Sequence, residues 1–406
     1  MLKKEYTFTY KNISERKRKN LAILNYIRRK GPLSRTDISK ETGINIVSVS
    51  NYVTNYVRKG LVLEWGLDTS SGGRRPELIK LNLENAYVAG IDVGPENLTA
   101  VITDLALRLK AKVILPRPKG SMEDVFAGTL NVLEKLFKES KIPLSSIKIV
   151  GMGISGIVDI HSGTIHDTDP IRGRTRSNFY NLARIIEEKF KIPTLIANDA
   201  TCAAFGEANL SPKTDISEML YIYSDVGCGI IINGDIYCGA SGSAGEMQLL
   251  LNKKETNTPD PHIAPYGIRG VDLGITKKAR ELSDKKEGAL ILKLAGNQKE
   301  QITMETVFAA SEKQDTAARE ILVDAAYWLG IKVAYLVNVF NPQVVAIGGG
   351  LEKAGSVFME ALTDCVRIYA YEESFNAARI MPSFLEKDAV SLGVASLGVR
   401  ELFINA

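Results

Sequence analysis

The chain has 406 residues, of which 45% are hydrophobic and 24% charged, and carries a formal net charge of +4. This ordinary globular mixture is enough for about two or three domains and excludes a disordered or collagen-like chain. No uncharged apolar run reaches the roughly 18 residues of a membrane span, and no apolar block follows Lys3, Lys4 and Glu5, so neither a spanning helix nor a signal peptide is expected. Cys202, Cys228, Cys238 and Cys365 form no C-x-x-C pair, which points to reduced thiols in a cytoplasm.

The small net charge hides a split. Residues 1–84 hold 17 Lys or Arg against 8 Asp or Glu, a balance of +9, and the remainder carries −5. A positive head on a negative body suggests a polyanion-binding module joined to something else.

The head reads as a winged helix-turn-helix. From Asn20 to Lys30, Leu21, Leu24 and Ile27 recur at helical spacing, and Gly31-Pro32 ends the pattern. Ser34 with Asp37 three residues later forms a capping-box signature for a short helix through Ile38, which stops near Gly43. Asn45 can cap a third helix running to Arg58, with Val49, Val53, Tyr56 and Val57 on one face and Ser48, Asn51 and Asn55 on the other. Leu61–Trp65 and Glu77–Leu81 then read as a hairpin, whose tip at 68–76 carries Arg74 and Arg75. Arg35, Ser48, Asn51, Asn55 and Arg58 are the expected groove contacts, and Arg74 and Arg75 the wing contacts to phosphate or to a narrow minor groove. A small three-helix bundle with a solvated basic loop is the alternative.

Residues 85–406 read as a two-lobed α/β body. Strands are predicted at Val88–Val93, Leu98–Asp104, Leu109–Leu115 and Ile147–Ile154, with a helix at Met122–Ser140. A second set has a helix at Tyr180–Phe190 and strands at Thr194–Ala197, Met219–Tyr223 and Ile230–Asn233. It continues with a helix at Ala317–Val337 and a strand at Val344–Ile347. The order implies a sheet with an antiparallel edge and helices packed on it. The head–body boundary is placed at Asn82–Asn85. Lobe one is expected to span about 85–196 plus a C-terminal helix at 388–406, and lobe two about 197–387.

Seven short stretches in this body resemble the ROK family of repressors, open reading frames and kinases. They are GIDVG at Gly90–Gly94, GMGISGIVD at Gly151–Asp159, ANDA at Ala197–Ala200, VGCGI at Val226–Ile230, ING at Ile232–Gly234, GASGSAGE at Gly239–Glu246 and NPQVVAIGGG at Asn341–Gly350. The resemblance implies an actin-like, ribonuclease H-like ATPase fold with a sugar bound between two lobes, and dimers or tetramers. ROK kinases phosphorylate a hexose with ATP. ROK regulators carry a winged helix-turn-helix and change their hold on DNA when a sugar binds.

The departures from the kinase pattern are informative. The first phosphate loop of kinase members reads D-x-G-G-T, whereas here it is Asp92, Val93, Gly94, Pro95, Glu96. Phosphate loops work through backbone N–H donors and an absence of negative charge. Pro95 removes a donor and Glu96 adds a repelling carboxylate. In the second loop, usually G-T-G-x-G-G-G, Asp225 brings another negative charge. The family zinc motifs, G-E-x-G-H and C-x-C-G-x-x-G-C, align with Leu249, Ala264, Tyr266 and Val271 at the four ligand positions. None of these can serve as a zinc thiolate or imidazole. His262 lies nearby without partners. No metal, no ATP and no Mg²⁺ are therefore expected.

The resemblance also implies sugar contacts. Asp199 matches the catalytic base of the kinases and would accept hydrogen bonds from a sugar diol with or without chemistry. Glu246 matches a second hydroxyl acceptor, and Ser155, Gly156 and Asn198 would line the same cleft. Asp199 can equally be read as the N-cap of the helix after strand 194–197. The expected function is a sugar-responsive, DNA-binding repressor of carbohydrate-metabolism genes, cytoplasmic and homodimeric, with operator DNA and a small sugar as partners. The alternatives are an ATP-dependent sugar kinase with an added DNA-binding head, in which Asp199 would be catalytic, and a constitutive DNA-binding protein with a dead cleft.

Overall fold

The computed structural model describes residues 6–10, 13–67, 77–158, 165–166, 176–177, 179–212, 216–224, 226–247 and 272–406. They form two compact units, Met1–Cys202 with Val390–Ala406, and Ala203–Ala389.

The head belongs to the first unit. Ser14 accepts from Lys17 N and starts α1 (Glu15–Lys30), one turn before the apolar periodicity begins. β1 (Leu33–Ser34) leads into α2 (Arg35–Thr42), where the capping box of Ser34 and Asp37 is formed and Gly43 ends the helix at a φ of 67°. Asn45 caps α3 (Ile46–Arg58) through its side-chain oxygen. β2 (Val62–Leu67) and β3 (Glu77–Leu81) pair antiparallel, and β1 adds to the other edge of β3. Ile23, Leu24, Ile27, Ile38, Val49, Val53, Tyr56, Val62 and Ile79 are buried and make the small core.

The body of this unit is a five-stranded sheet. β4 (Tyr87–Val93), β5 (Asn97–Asp104) and β6 (Leu109–Pro116) form an antiparallel meander, and α4 (Met122–Ser140) returns the chain to β7 (Ile147–Ile154). A small ribbon follows, made of β8 (Ile157–Val158), β9 (Ile165–His166) and β10 (Arg176–Ser177). After it come α5 (Phe179–Phe190), β11 (Thr194–Asn198) and α6 (Asp199–Leu210). The sheet order is β11-β7-β4-β5-β6, with the first three strands parallel.

In the second unit, β12 (Met219–Tyr223), β13 (Gly227–Ile232) and β14 (Asp235–Ile236) form another meander. The helices α7 (Ile275–Leu282), α8 (Ala289–Leu294), α9 (Met304–Glu312) and α10 (Thr316–Phe340) precede β15 (Val344–Gly348). Then α11 (Gly355–Tyr369), α12 (Glu372–Ala377) and β16 (Arg379–Pro382) complete the sheet β14-β13-β12-β15-β16. Here too an antiparallel meander is extended from its first strand by two parallel strands, so the two units share one connectivity. The chain finally returns to unit one through α13 (Ala389–Ile404).

Glycine placement lets α13 lie directly on the first sheet. A Cβ at Gly90 would stand 2.2 Å from Ser391 O, and one at Gly151 would stand 2.7 Å from a Val394 methyl. In unit two, a buried polar network ties α6 to the sheet. Glu207 accepts from Ser383 Oγ, Phe384 N and Leu385 N at 3.0, 2.7 and 3.2 Å, and Tyr221 donates to the same serine at 3.0 Å. Among the described residues no helix is long and apolar enough to cross a membrane.

Candidate ligand site and DNA-reading face

β7 and β11 are adjacent parallel strands, so the segments that follow them leave the same end of the sheet. This brings Ser155 and Gly156 to Asn198 and Asp199. Asn198 donates through Nδ2 to Gly156 O at 3.1 Å and accepts from Thr201 N at 3.0 Å. Asn198 therefore caps α6, and Asp199 occupies the first helical position with one oxygen on Ala200 N at 2.8 Å. The capping role considered for Asp199 falls to its neighbour, while Asp199 takes the N–H of Ala200 in the first turn. Burial raises the Asp199 carboxyl to about 6, against hydrogen bonds from the backbone and from Ser155 and Asn198 that favour its charge. A desolvated carboxylate on a rigid strand end can accept from paired hydroxyls or receive a proton.

Glu246 lies in the second unit. Gly227 bridges Glu246 in antiparallel fashion, and Cys228 N donates to Gly245 O at 2.7 Å, so a short backbone ladder on the start of β13 presents the carboxylate. Gly245 is required there. Its φ is 93° and a Cβ would stand 1.8 Å from Cys228 O. Gly245→Ala is expected to lose about 2–4 kcal/mol of stability, read as an earlier urea midpoint.

The segment aligned with the kinases' first phosphate loop is the β4–β5 turn. Arg117 donates to Gly94 O at 2.9 Å and to Val93 O at 3.3 Å, and its own N–H goes to Glu96 O at 2.8 Å. Pro95 and Glu96 are exposed at the tip. This turn holds a guanidinium on its carbonyls. Asp225, His262 and the four positions aligned with zinc ligands, Leu249, Ala264, Tyr266 and Val271, lie outside the described residues. Among the described residues no cluster of three His, Cys, Asp or Glu side chains is placed to hold a metal.

On the head, Asn51 and Arg58 are exposed on the outer face of α3. Ser48 and Asn55 are half-buried. The Ser48 N–H is taken by Asn45, and Asn55 Oδ1 accepts from Arg58 at 2.9 Å. Arg35 reaches the hairpin, pairing with Glu77 at 2.8 Å and Glu64 at 3.0 Å. These two partners hold the wing against α2. Arg74 and Arg75 lie outside the described residues.

The sequence reading assigned nothing to residues 6–10. Thr7 forms a parallel bridge with Ile196 on the outer edge of β11, Ile196 N donates to Tyr6 O at 2.7 Å, and Tyr6 and Phe8 are buried. Thr9 gives its N–H and hydroxyl to the two Glu401 oxygens at 3.0 and 2.8 Å, and Arg400 donates to Thr9 O at 2.7 Å. The available signal was the two-residue alternation of Tyr6, Phe8 and Tyr10 with Thr7 and Thr9.

Comparison with known proteins fits this geometry. The ROK family model matches residues 88–258 and 271–401, and a winged helix-turn-helix DNA-binding model matches 16–62. The chain belongs to the ROK family. It is 26% identical over 382 residues to the xylose repressor of Bacillus subtilis (strain 168), covering 92% of this chain and 93% of that one. It is 25% identical over 352 residues to the DNA-binding transcriptional dual regulator NagC of Escherichia coli (strain K12), covering 86% and 84%. A ROK family transcriptional regulator described as a homolog of the E. coli MLC protein superposes with a TM-score of 0.74 at 21% identity, over 96% of this chain and 98% of that one. A ROK glucokinase from Streptomyces griseus, solved with glucose and AMPPNP, superposes at 0.65 and 20% identity over 77% of this chain and 99% of that one. It lacks a counterpart for about a quarter of this chain, whereas the regulator spans nearly all of it.

Proposed function

We propose that this protein is a sugar-responsive, DNA-binding transcriptional repressor of carbohydrate-metabolism genes. The observation that carries the reading is the course of β11. It ends in Asn198, with Asp199 next at the start of α6, and its outer edge is paired by Tyr6 and Thr7, whose segment leads through Ser14 into α1 of the head. A ligand that orders the strand end acts on an element already joined to the DNA-reading module, as a population-shift switch requires. The repressor relatives, aligned over nearly their whole length, support the same conclusion.

A sugar held by Asp199, Asn198, Ser155 and Gly156 is the input, and operator DNA is the output. The protein works in the cytoplasm as a homodimer, because two heads are needed for paired half-sites. The face of α10 and α11 supports the dimer. Val323, Tyr327, Tyr335, Val339, Ile368 and Tyr369 are exposed there, and such apolar patches mark interaction surfaces. No metal or nucleotide is required, since Pro95 and Glu96 offer a triphosphate one donor fewer and one negative charge more. One observation favours sugar kinase activity instead: a carboxyl near pKa 6 suits a general base.

A thermal-shift panel of mono- and disaccharides, with and without Mg·ATP, separates these readings. The repressor is expected to gain melting temperature with one class of sugar, to gain nothing from Mg·ATP, and to form no sugar phosphate. Measurable hexose phosphate would establish the kinase. A sugar that shifts the melting temperature but leaves operator affinity unchanged would defeat the regulatory reading.

A further inference from the structure

The outer face of α3 carries more than the polar residues a groove-reading helix needs. Its inner face is complete, since Val49, Val53 and Tyr56 are fully buried against the head core. Yet Ile46 and Val47, the first two helical residues, are 44% and 68% exposed. Val47, Asn51, Thr54 and Arg58 follow one another at helical spacing and are all exposed, so Val47, with Ile46 beside it, opens a stripe that ends in a cation.

Helix stability does not explain this choice. β-Branched residues are poorer helix formers than alanine at exposed positions, and the start of α3 is already secured by the Asn45 cap. Core packing does not explain Val47, which points away from Val49, Val53 and Tyr56. Ile46 stands at the end of the buried face, three residues before Val49, and still leaves 44% of its surface exposed. The N-terminal residues of the second helix in such a motif are those that meet base edges. On those edges the major groove offers one apolar group, the C5-methyl of thymine.

We propose that Ile46 and Val47 are specificity-determining residues that read thymine methyl groups in each operator half-site. Asn51, one turn along the same stripe, takes a neighbouring adenine through its bidentate edge. The half-site is then marked by A·T pairs at the positions facing the start of α3. The inference rests on the DNA-binding reading above and adds the base chemistry to it.

The test begins with selection of duplexes from a random pool by the full-length protein. In the enriched duplex each thymine is replaced in turn by deoxyuridine, which removes the methyl group alone. Parent, Ile46→Ala and Val47→Ala are compared by fluorescence anisotropy. The parent is expected to lose about 4-fold in affinity at one or two thymines per half-site, the equivalent of one buried methyl. That loss should disappear in one of the alanine variants, while both keep the parental melting temperature. Deoxyuridine effects below about 2-fold at every position, or losses of equal size in parent and both variants, would overturn the proposal in favour of a protein surface covering Ile46 and Val47. A parent that enriches no sequence would remove the DNA-binding reading itself, and the proposal with it.

Discussion

Asp199→Ala is expected to abolish the sugar response while leaving operator binding by the free protein intact. Hydrogen bonds to a charged acceptor are worth about 1.5–3 kcal/mol each, so losing two corresponds to at least about a 100-fold fall in sugar affinity. The empty variant should melt no lower than the parent at neutral pH, because the substitution also removes a carboxylate that burial penalises. This separates loss of the site from loss of the fold. A sugar response that survives the substitution would take Asp199 out of the site.

The same carboxyl gives a pH signature with a definite sign. Its value rises from an ordinary 3.8 to about 6 in the folded protein. The folded state therefore holds this proton more tightly than the unfolded chain. The contribution to stability is complete below about pH 4 and is lost as pH rises through 6. Sugar binding runs the other way, since the ionised form is the better acceptor of hydroxyl hydrogen bonds. The melting-temperature gain from sugar should grow between pH 5 and 7 and then level off. A gain independent of pH across this window would show that another group carries the sugar.

Much of this architecture was legible because local chemistry and tertiary demand agree. The capping box of Ser34 and Asp37 and the Asn45 cap are satisfied within a few residues, so α2 and α3 begin where the sequence places them. Met122–Ser140 and Ile147–Ile154 have long apolar periodicities and match their predicted bounds. The first turn of α1 has no sequence signal because Glu15–Lys19 is wholly charged and has no apolar face. β16 was missed because Arg379–Pro382 is a short edge strand whose pairing with β15 comes from tertiary structure.

The site divides along the same line. Asp199, Asn198, Ser155 and Gly156 sit in two motifs whose strands pair directly, so their meeting follows from β7 lying beside β11. On α3 exposure does not follow residue type. Ser48 and Asn55, opposite the core, are half-buried, while Val47 faces out despite being apolar. The arm Tyr6–Thr9 was invisible for another reason. A single added strand has no core of its own, and its partners Ile196, Arg400 and Glu401 lie almost 200 to 400 residues away.

Asn20→Ala should be the most damaging single change in the head, although Asn20 faces neither DNA nor sugar. The side chain is 2% exposed on α1, accepts from the Tyr56 hydroxyl at 2.8 Å, and donates to Ile404 O at 3.4 Å and Ala406 O at 3.2 Å. One amide thus joins the recognition helix to the end of α13, the helix that lies on the first sheet. Burial pushes the Tyr56 phenol well above its ordinary range, so it remains a neutral donor that must find an acceptor. Truncating Asn20 leaves a buried hydroxyl and two carbonyls without their partner, at a cost of about 2–4 kcal/mol. Tyr56→Phe removes one donor alone and should cost about 1 kcal/mol. In a double-mutant cycle the two losses should be less than additive, because the second substitution removes a group the first has orphaned. Urea unfolding gives the stabilities, and hydrogen exchange should show α1 and α13 opening together in Asn20→Ala. If exchange in α13 is unchanged while α1 opens, the head is held to the body by the Thr9–Glu401 contact instead, and Thr9→Val should then have the larger effect on operator affinity.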